Sequence, residues 1–220
     1  MAPRILVTGA TGYLGSTILE ALVRADERAT ILVQPGDPHV MSPELRSNVD
    51  VVRGDITDAQ SVDEAMRGIA RVYHLAGIAS PNSRLANQIW RTNVLGAYHV
   101  AQSAWRHGVQ RLVHVSSTAA IGYPPNGVIA DEDFDPRDSV LDNVYSATKR
   151  AGEQLVLDFV DRGLDVVVVN RRPSSRLGSG RPGLGRACWS RRAKVCCGSF
   201  RREEPPFVRP ATSRPVSQRR

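Results

Sequence analysis

Cysteine is missing from the first 187 of the 220 residues; Cys188, Cys196 and Cys197 are the whole complement. No disulfide framework staples the body of the chain, as expected of a reducing compartment. Cys196-Cys197 lacks the Cys-x-x-Cys or histidine spacing of a metal site. Aromatics are only 5% of the residues. No apolar run approaches the roughly 20 residues of a membrane helix, so no membrane span is expected. Met1-Ala2-Pro3-Arg4 runs straight into Ile5-Leu6-Val7, without an apolar leader and a small-residue cleavage site. A cytoplasmic location is therefore expected.

Acidic residues are nearly absent from the last fifty positions. Residues 171–220 carry 14 basic and 2 acidic groups, and no Asp, Ile, Tyr, His or Met, whereas residues 1–170 carry 15 basic and 20 acidic groups. A mildly acidic body thus precedes a strongly basic tail. Pro and Gly break any period in that tail, and its apolar content is too low to offset chain entropy, which predicts disorder. A nucleic-acid partner for the tail is disfavoured, because it lacks interleaved aromatics and any groove-reading element.

The body alternates short apolar runs with helical periods. Strand signals are Arg4–Thr8, Ala29–Val33, Val49–Arg53, Arg71–Leu75, Arg111–Val115 and Leu164–Val169. Helical patterns follow from Gly12, over Ser61–Arg67, over a long stretch from Leu85 to His107, and over Asn143–Arg162. Six strands separated by helices predict an α/β fold: a doubly wound, Rossmann-type parallel sheet over residues 1–170, with a disordered basic C-terminal tail over 171–220.

The first strand ends in Thr8-Gly9-Ala10-Thr11-Gly12-Tyr13-Leu14-Gly15. Gly9 allows the tight turn, Gly12 lets backbone approach a pyrophosphate, and Gly15 lets the helix pack on the strand. The helix N-terminus behind them points its free N–H groups and its dipole at phosphate. This predicts a dinucleotide site.

Tyr145 and Lys149 are four apart on a predicted helix and share a face. A phenol, with a pKa of about 10, is a poor base at neutral pH, and an adjacent ammonium favours its ionised form. Such a pair exchanges a proton with a substrate hydroxyl or carbonyl while a nicotinamide exchanges hydride. Ser117 and Thr118 lie at the carboxyl end of the fifth strand, where open α/β sheets place ligands.

With its Thr-Gly-x-x-Gly-x-x-Gly loop and Tyr-x-x-x-Lys pair, residues 4–170 resemble the extended short-chain dehydrogenase/reductases of the NAD-dependent epimerase/dehydratase group. Further motifs carry the likeness: Gly54-Asp55-Ile56-Thr57-Asp58, His74-Leu75-Ala76-Gly77, Thr92-Asn93-Val94-Leu95-Gly96 and Ser116-Ser117-Thr118. The resemblance implies an NAD(P) cofactor held by Gly9, Thr11, Gly12, Tyr13, Leu14, Gly15, Gln34, Asp55, Ile56, Leu75, Ala76, Gly77, Asn93, Tyr145 and Lys149. It implies Tyr145 as the proton-transfer group, with Lys149 on the ribose. Thr118 is favoured over Ser117 as the substrate-holding hydroxyl, because the family's hydroxyl usually closes such a run. The implied substrate is a small molecule, a nucleotide sugar or a small ketone, and a homodimer through the long helices is the expected assembly.

Gln34-Pro35-Gly36 closes the second strand, where an acid selects NAD and an Arg favours NADP; lacking the acid, the reading leans to NADP. His74, His99 and His114 lie in apolar elements and are read as satisfied structural histidines. The acidic run Asp131–Asp135 is read as a solvated loop. Arg171-Arg172-Pro173-Ser174-Ser175 stands where relatives carry Pro-Ser-Ser-Val-like residues. With CGN arginine and TCN serine codons, a one-base shift reads small residues there, so the tail is expected to be an out-of-frame translation that replaces the substrate domain. The rival readings are a non-catalytic cofactor-binding remnant and, last, a basic-tailed nucleic-acid binder.

Overall fold

A computed structural model of the chain describes residues 4–37, 43–125 and 135–171, together with the strand Cys188–Trp189. Its strands are β1 (Arg4–Thr8), β2 (Ala29–Val33), β3 (Val49–Arg53), β4 (Ile69–His74), β5 (Arg111–Ser117), β6 (Val166–Arg171) and β7 (Cys188–Trp189). They form one sheet in the order β3-β2-β1-β4-β5-β6-β7. The pairings among β1 to β6 are parallel. Strand order reverses between β1 and β4, which opens a crevice at their carboxyl ends.

Helices cover both faces. On one side lie α1 (Tyr13–Arg24) and the short α2 (Pro43–Ser47); on the other lie α3 (Ala59–Ala65), α5 (Gly96–Arg106) and α7 (Val144–Leu157). The sheet therefore has two cores. Ile5, Val7, Leu19 and Ile31 pack under α1. Leu6, Val72, Leu112, Val168, Met66 and Phe159 pack under the other helices. Alternate residues of β1 face opposite cores, and all of Ile5, Leu6 and Val7 are fully buried, as a strand covered on both faces requires.

Caps set the helix starts. Asp58 accepts from the backbone N–H groups of Gln60 and Ser61, so α3 starts before the Ser61 boundary expected from periodicity. Asn143 accepts from Ser146 N at 3.0 Å and starts α7. The long helix expected over 85–107 is interrupted. After α4 (Ala86–Trp90), residues Arg91–Leu95 form a π-helical turn before α5 resumes. Such turns are frequent at functional sites.

Two further differences concern the C-terminal side. β6 runs through Arg171, two residues past the strand end expected at Val169, and Cys188–Trp189 pairs antiparallel with Val169 and Asn170 inside the stretch expected to be disordered. The outer edge of β6 is a row of backbone donors and acceptors that a passing segment satisfies. The rest of 172–220, with Cys196, Cys197 and the proposed change of frame, lies outside the described residues, as do residues 131–134 of the acidic run. Among the described residues no helix is long and apolar enough to cross a membrane, and no group of three or more His, Cys, Asp or Glu is arranged to hold a metal.

Candidate active site

The glycine loop turns out of β1 at Gly9, whose φ is +72°. A Cβ there would lie 2.6 Å from Ala76 N, because the loop packs directly on residues 75–77. Leu75 N donates to Thr8 O at 3.1 Å, and Ala76 N to Thr8 Oγ1 at 3.4 Å. A Cβ on Gly15 would lie 2.1 Å from Gly9 O. Gly12 differs. A Cβ there would meet only Gly9 O, at 3.4 Å, which is ordinary contact. The protein's own packing demands Gly9 and Gly15 but leaves the space over Gly12 open.

Gly12 is also the N-cap of α1; it supplies no capping side chain, and no acid lies in the first turn. The first N–H groups of that helix, at Tyr13, Leu14 and Gly15, have no side-chain acceptor among the described residues. Open space over Gly12 and an uncapped, positive helix end suit an anionic pyrophosphate. The residues present therefore fit a dinucleotide.

At the ends of β2 and β3, Gln34 Nε2 donates to Asp55 Oδ2 at 2.7 Å, and Thr57 N donates to Asp55 Oδ1 at 2.8 Å. Burial pushes the Asp55 carboxyl up, but the bonds from Thr57 and Gln34 and the charge of Arg91 outweigh it, leaving it below its ordinary range. Ile56 is buried, with Gly96 of α5 packed on its side chain. The strand-end reading missed Asp37. The Pro35-Gly36 turn folds it back so that Thr11 Oγ1 donates to Asp37 Oδ2 at 2.8 Å. A carboxylate stands beside the glycine loop after all.

Across the crevice, Tyr145 and Lys149 occupy one face of α7. Lys149 is 8% exposed, and its Nζ donates to Val115 O at 2.9 Å. Burial lowers its pKa to about 8, opposed by the negative charge of Glu153. Ser117 is the N-cap of the short helix α6 (Thr118–Ile121), its Oγ accepting from Ala119 N at 3.2 Å. Its hydroxyl thus has a structural task. Thr118 Oγ1 has no hydrogen-bond partner among the described residues, and of the two it is the hydroxyl left for a ligand. Arg150, one residue past Lys149, clasps the far end of α6, donating to Ala120 O at 2.8 Å and Ile121 O at 2.7 Å. That clasp docks α6, and with it Thr118, against α7.

Asn93 sits in the π turn, 3% exposed. Its Nδ2 donates to Ile78 O at 3.0 Å and Thr148 Oγ1 at 3.1 Å, and its Oδ1 accepts from Ile78 N at 2.8 Å. Both amide donors are spent within the protein, so Asn93 ties the loop after β4 to α7 instead of offering them to a cofactor. Gly152 makes the approach possible, since a Cβ there would lie 2.3 Å from Asn93 O.

The histidines also differ from expectation. His74 and His114 are register partners on β4 and β5, with ring centroids 5.1 Å apart. His74 Nδ1 is within 2.7 Å of Thr8 Oγ1. His74 Nε2 and both ring nitrogens of His114 are buried without hydrogen-bond partners among the described residues. Burial first, then Lys149, lowers His74 to about 3, and burial, Lys149 and His74 push His114 well below its ordinary value. Both are held neutral. His99 is satisfied, its Nδ1 lying 3.1 Å from Ile56 O.

A doubly wound sheet with a glycine loop at its switch point and a Tyr-Lys helix across the crevice defines a nucleotide-binding domain of the short-chain dehydrogenase/reductase class. Residues 5–192 match the model of the NAD dependent epimerase/dehydratase family, and the chain belongs to that family. The match extends beyond the expected boundary at 170. Among curated relatives, "Sterol demethylase protein B" of Methylococcus capsulatus is 33% identical over 75% of this chain and 49% of its own length. dTDP-glucose 4,6-dehydratase of Streptomyces niveus is 33% identical over 75% and 52%. Among solved structures, uronate dehydrogenase from Agrobacterium tumefaciens complexed with NAD is 31% identical, with a TM-score of 0.62, over 74% of this chain and 58% of that one. The chain spans about half the length of the curated relatives it matches.

Proposed function

We propose that the protein is an NAD(P)-dependent oxidoreductase or epimerase acting at a carbinol or carbonyl carbon of a nucleotide sugar or small ketone. The observation that carries this reading is that α7, which bears Tyr145 and Lys149, is held to the carboxyl end of β5 by Lys149 Nζ donating to Val115 O, with Thr118 directly after that strand and the glycine loop directly after β1. A bound nicotinamide coenzyme supplies the hydride acceptor or donor. Tyr145 moves the proton at the substrate oxygen, Thr118 holds that oxygen, and Lys149 holds the ribose and favours the ionised phenol. Relatives named for sugar substrates support the sugar class.

Within this reading NAD is the preferred coenzyme. A 2′-phosphate on the adenosine ribose would approach the Asp37 carboxylate at Thr11 and the Asp55 carboxylate at Gln34, and like charges repel. Fluorescence titration with NADH and NADPH tests both points. Tighter NADH binding is expected, with Asp37→Ser narrowing the difference. Failure to bind either coenzyme defeats the reading; tighter NADPH binding defeats only the preference.

We also propose that two copies associate through the long helices. Trp90 and Leu95 remain 43% and 40% exposed, beside an open apolar groove lined by Val94, Tyr98 and Leu155. Burying such a patch against a second copy removes it from water. Analytical ultracentrifugation is expected to find a dimer that Trp90→Glu dissociates; a monomeric wild type refutes the assembly.

A further inference from the structure

Glu153 has no part in the chemistry above, yet it carries a carboxylate into the buried side of the site. It follows Lys149 by one helical turn, as Lys149 follows Tyr145, so the three share one stripe of α7. Asn170, 2% exposed near the end of β6, donates through Nδ2 to Glu153 Oε2 at 2.8 Å and to Ser117 O at 3.2 Å. Ser117 is the residue that caps α6 and precedes Thr118. Helix α7 is thus tied to the end of β5 twice: directly by Lys149 to Val115, and through Asn170 by Glu153 to Ser117. The Ser116 hydroxyl lies beside the same carboxylate but makes no hydrogen bond in this geometry.

The charges around Lys149 give this carboxylate a second task. On its own helix Lys149 has Tyr145, Arg150 and Glu153 as neighbours; from β5 and β4 it faces His114 and His74. Both histidines are neutral, Arg150 is a cation, and Glu153 is the negative group that acts on Lys149. A buried ammonium without a counter-charge gives up its proton. Burial likewise pushes the Glu153 carboxyl up, while Asn170 and the positive charges of Lys149 and Arg150 oppose that push.

We propose that Glu153 is a positioning residue of the Tyr145–Lys149 pair: its carboxylate, one turn from Lys149 on the same stripe of α7, is the counter-charge of that buried ammonium, and through Asn170 it fixes the strand end that presents Thr118. The importance of that charge rests on the coenzyme-binding reading above, but the charge effect itself does not.

The chain has two lysines, Lys149 and Lys194, so isotope-labelled lysine gives two side-chain resonances, and Lys194→Arg assigns them. The experiment follows the Lys149 resonance against pH in the full chain and in Glu153→Gln. Gln keeps an oxygen for Asn170 and removes only the charge. The expected result is a native-like melting temperature with the Lys149 titration midpoint moved down by roughly one pH unit. NADH affinity, titrated in parallel, should fall at correspondingly lower pH. Glu153→Asp restores the charge and should return the midpoint most of the way. An unchanged Lys149 midpoint in a folded Glu153→Gln protein overturns the proposal and leaves Glu153 as a structural tie. If Glu153→Gln does not fold, Glu153→Asp decides: a Lys149 midpoint at or below that of neutral-pH-titrating amines despite the charge overturns it, and a midpoint close to the wild type supports it. A shifted midpoint in a chain that binds no NADH overturns the coenzyme reading and keeps the role of Glu153.

Discussion

The carbonyl oxygen of Gly9 stands 2.1 Å from the point a Cβ on Gly15 would occupy, whereas the same oxygen is 3.4 Å from a Cβ on Gly12. One backbone oxygen therefore separates a glycine that the fold requires from a glycine whose Cβ the fold would accommodate. Gly15→Ala forces α1 away from the loop and should destabilise the domain by about 1–3 kcal/mol. Gly12→Ala should change stability by no more than about 1 kcal/mol, yet lose the rise in melting temperature that NADH gives the wild type. Thermal melts with and without NADH check both. An NADH-stabilised Gly12→Ala protein would remove the pyrophosphate from this loop.

Tyr145→Phe deletes one hydroxyl, which has no hydrogen-bond partner among the described residues, so the fold should not suffer. Turnover on a sugar or ketone substrate is expected to fall by roughly 10²–10⁴-fold, the usual worth of a positioned acid or base. NADH affinity should stay near the wild-type value. Steady-state rates followed by NADH absorbance, alongside a binding titration, separate the two effects.

The buried neutral imidazoles make stability depend on pH. His74 titrates near 6.5 when unfolded and at about 3 when folded, and His114 shifts in the same direction. The unfolded chain therefore binds protons first as the solution is acidified. Stability is fully present above about pH 6.5 and is lost as pH falls toward the folded value. His114→Leu removes two unpartnered buried nitrogens. It should be neutral or stabilising at pH 7 and should flatten the fall in melting temperature between about pH 6.5 and 4. An equally steep acid fall in the variant would assign acid lability to other groups.

Asn93→Ala strands the Ile78 backbone groups in a partly buried position. A loss of about 1–3 kcal/mol in chemical denaturation is expected, with NADH binding weakened only as far as the loop after β4 loosens. A variant of wild-type stability that binds no NADH would make Asn93 a direct ligand instead.

The order of strands and helices was legible because a strand buried on both faces must be an uninterrupted apolar run, as in Ile5-Leu6-Val7, and a helix must show its period, as around Leu19. The glycine loop was legible because its spacing is dictated by backbone geometry within a few residues. The pairing of Tyr145 with Lys149 follows from the helical period alone. None of these requires knowing what lies across the sheet.

The remaining features depend on where distant segments meet. Asp37 lies beyond the strand end that periodicity marks, and only the Pro35-Gly36 turn brings its carboxylate to Thr11. Ser117 and Thr118 are adjacent hydroxyls in the sequence; the start of α6 turns one into a cap and leaves the other without a partner among the described residues. His74 and His114 are forty residues apart and become neighbours through parallel register, losing the water that would have satisfied them. The pairing of Cys188–Trp189 with β6 could not be read from composition, because the hydrogen bonds come from the open edge of a strand that precedes it in the chain. The sequence by itself determined the local geometry: strands, helical faces, the turn at Gly9 and the Tyr-Lys spacing. Burial, charge and partnership at each site residue were decided only in the tertiary structure, because they depend on solvent removed by segments remote in the chain.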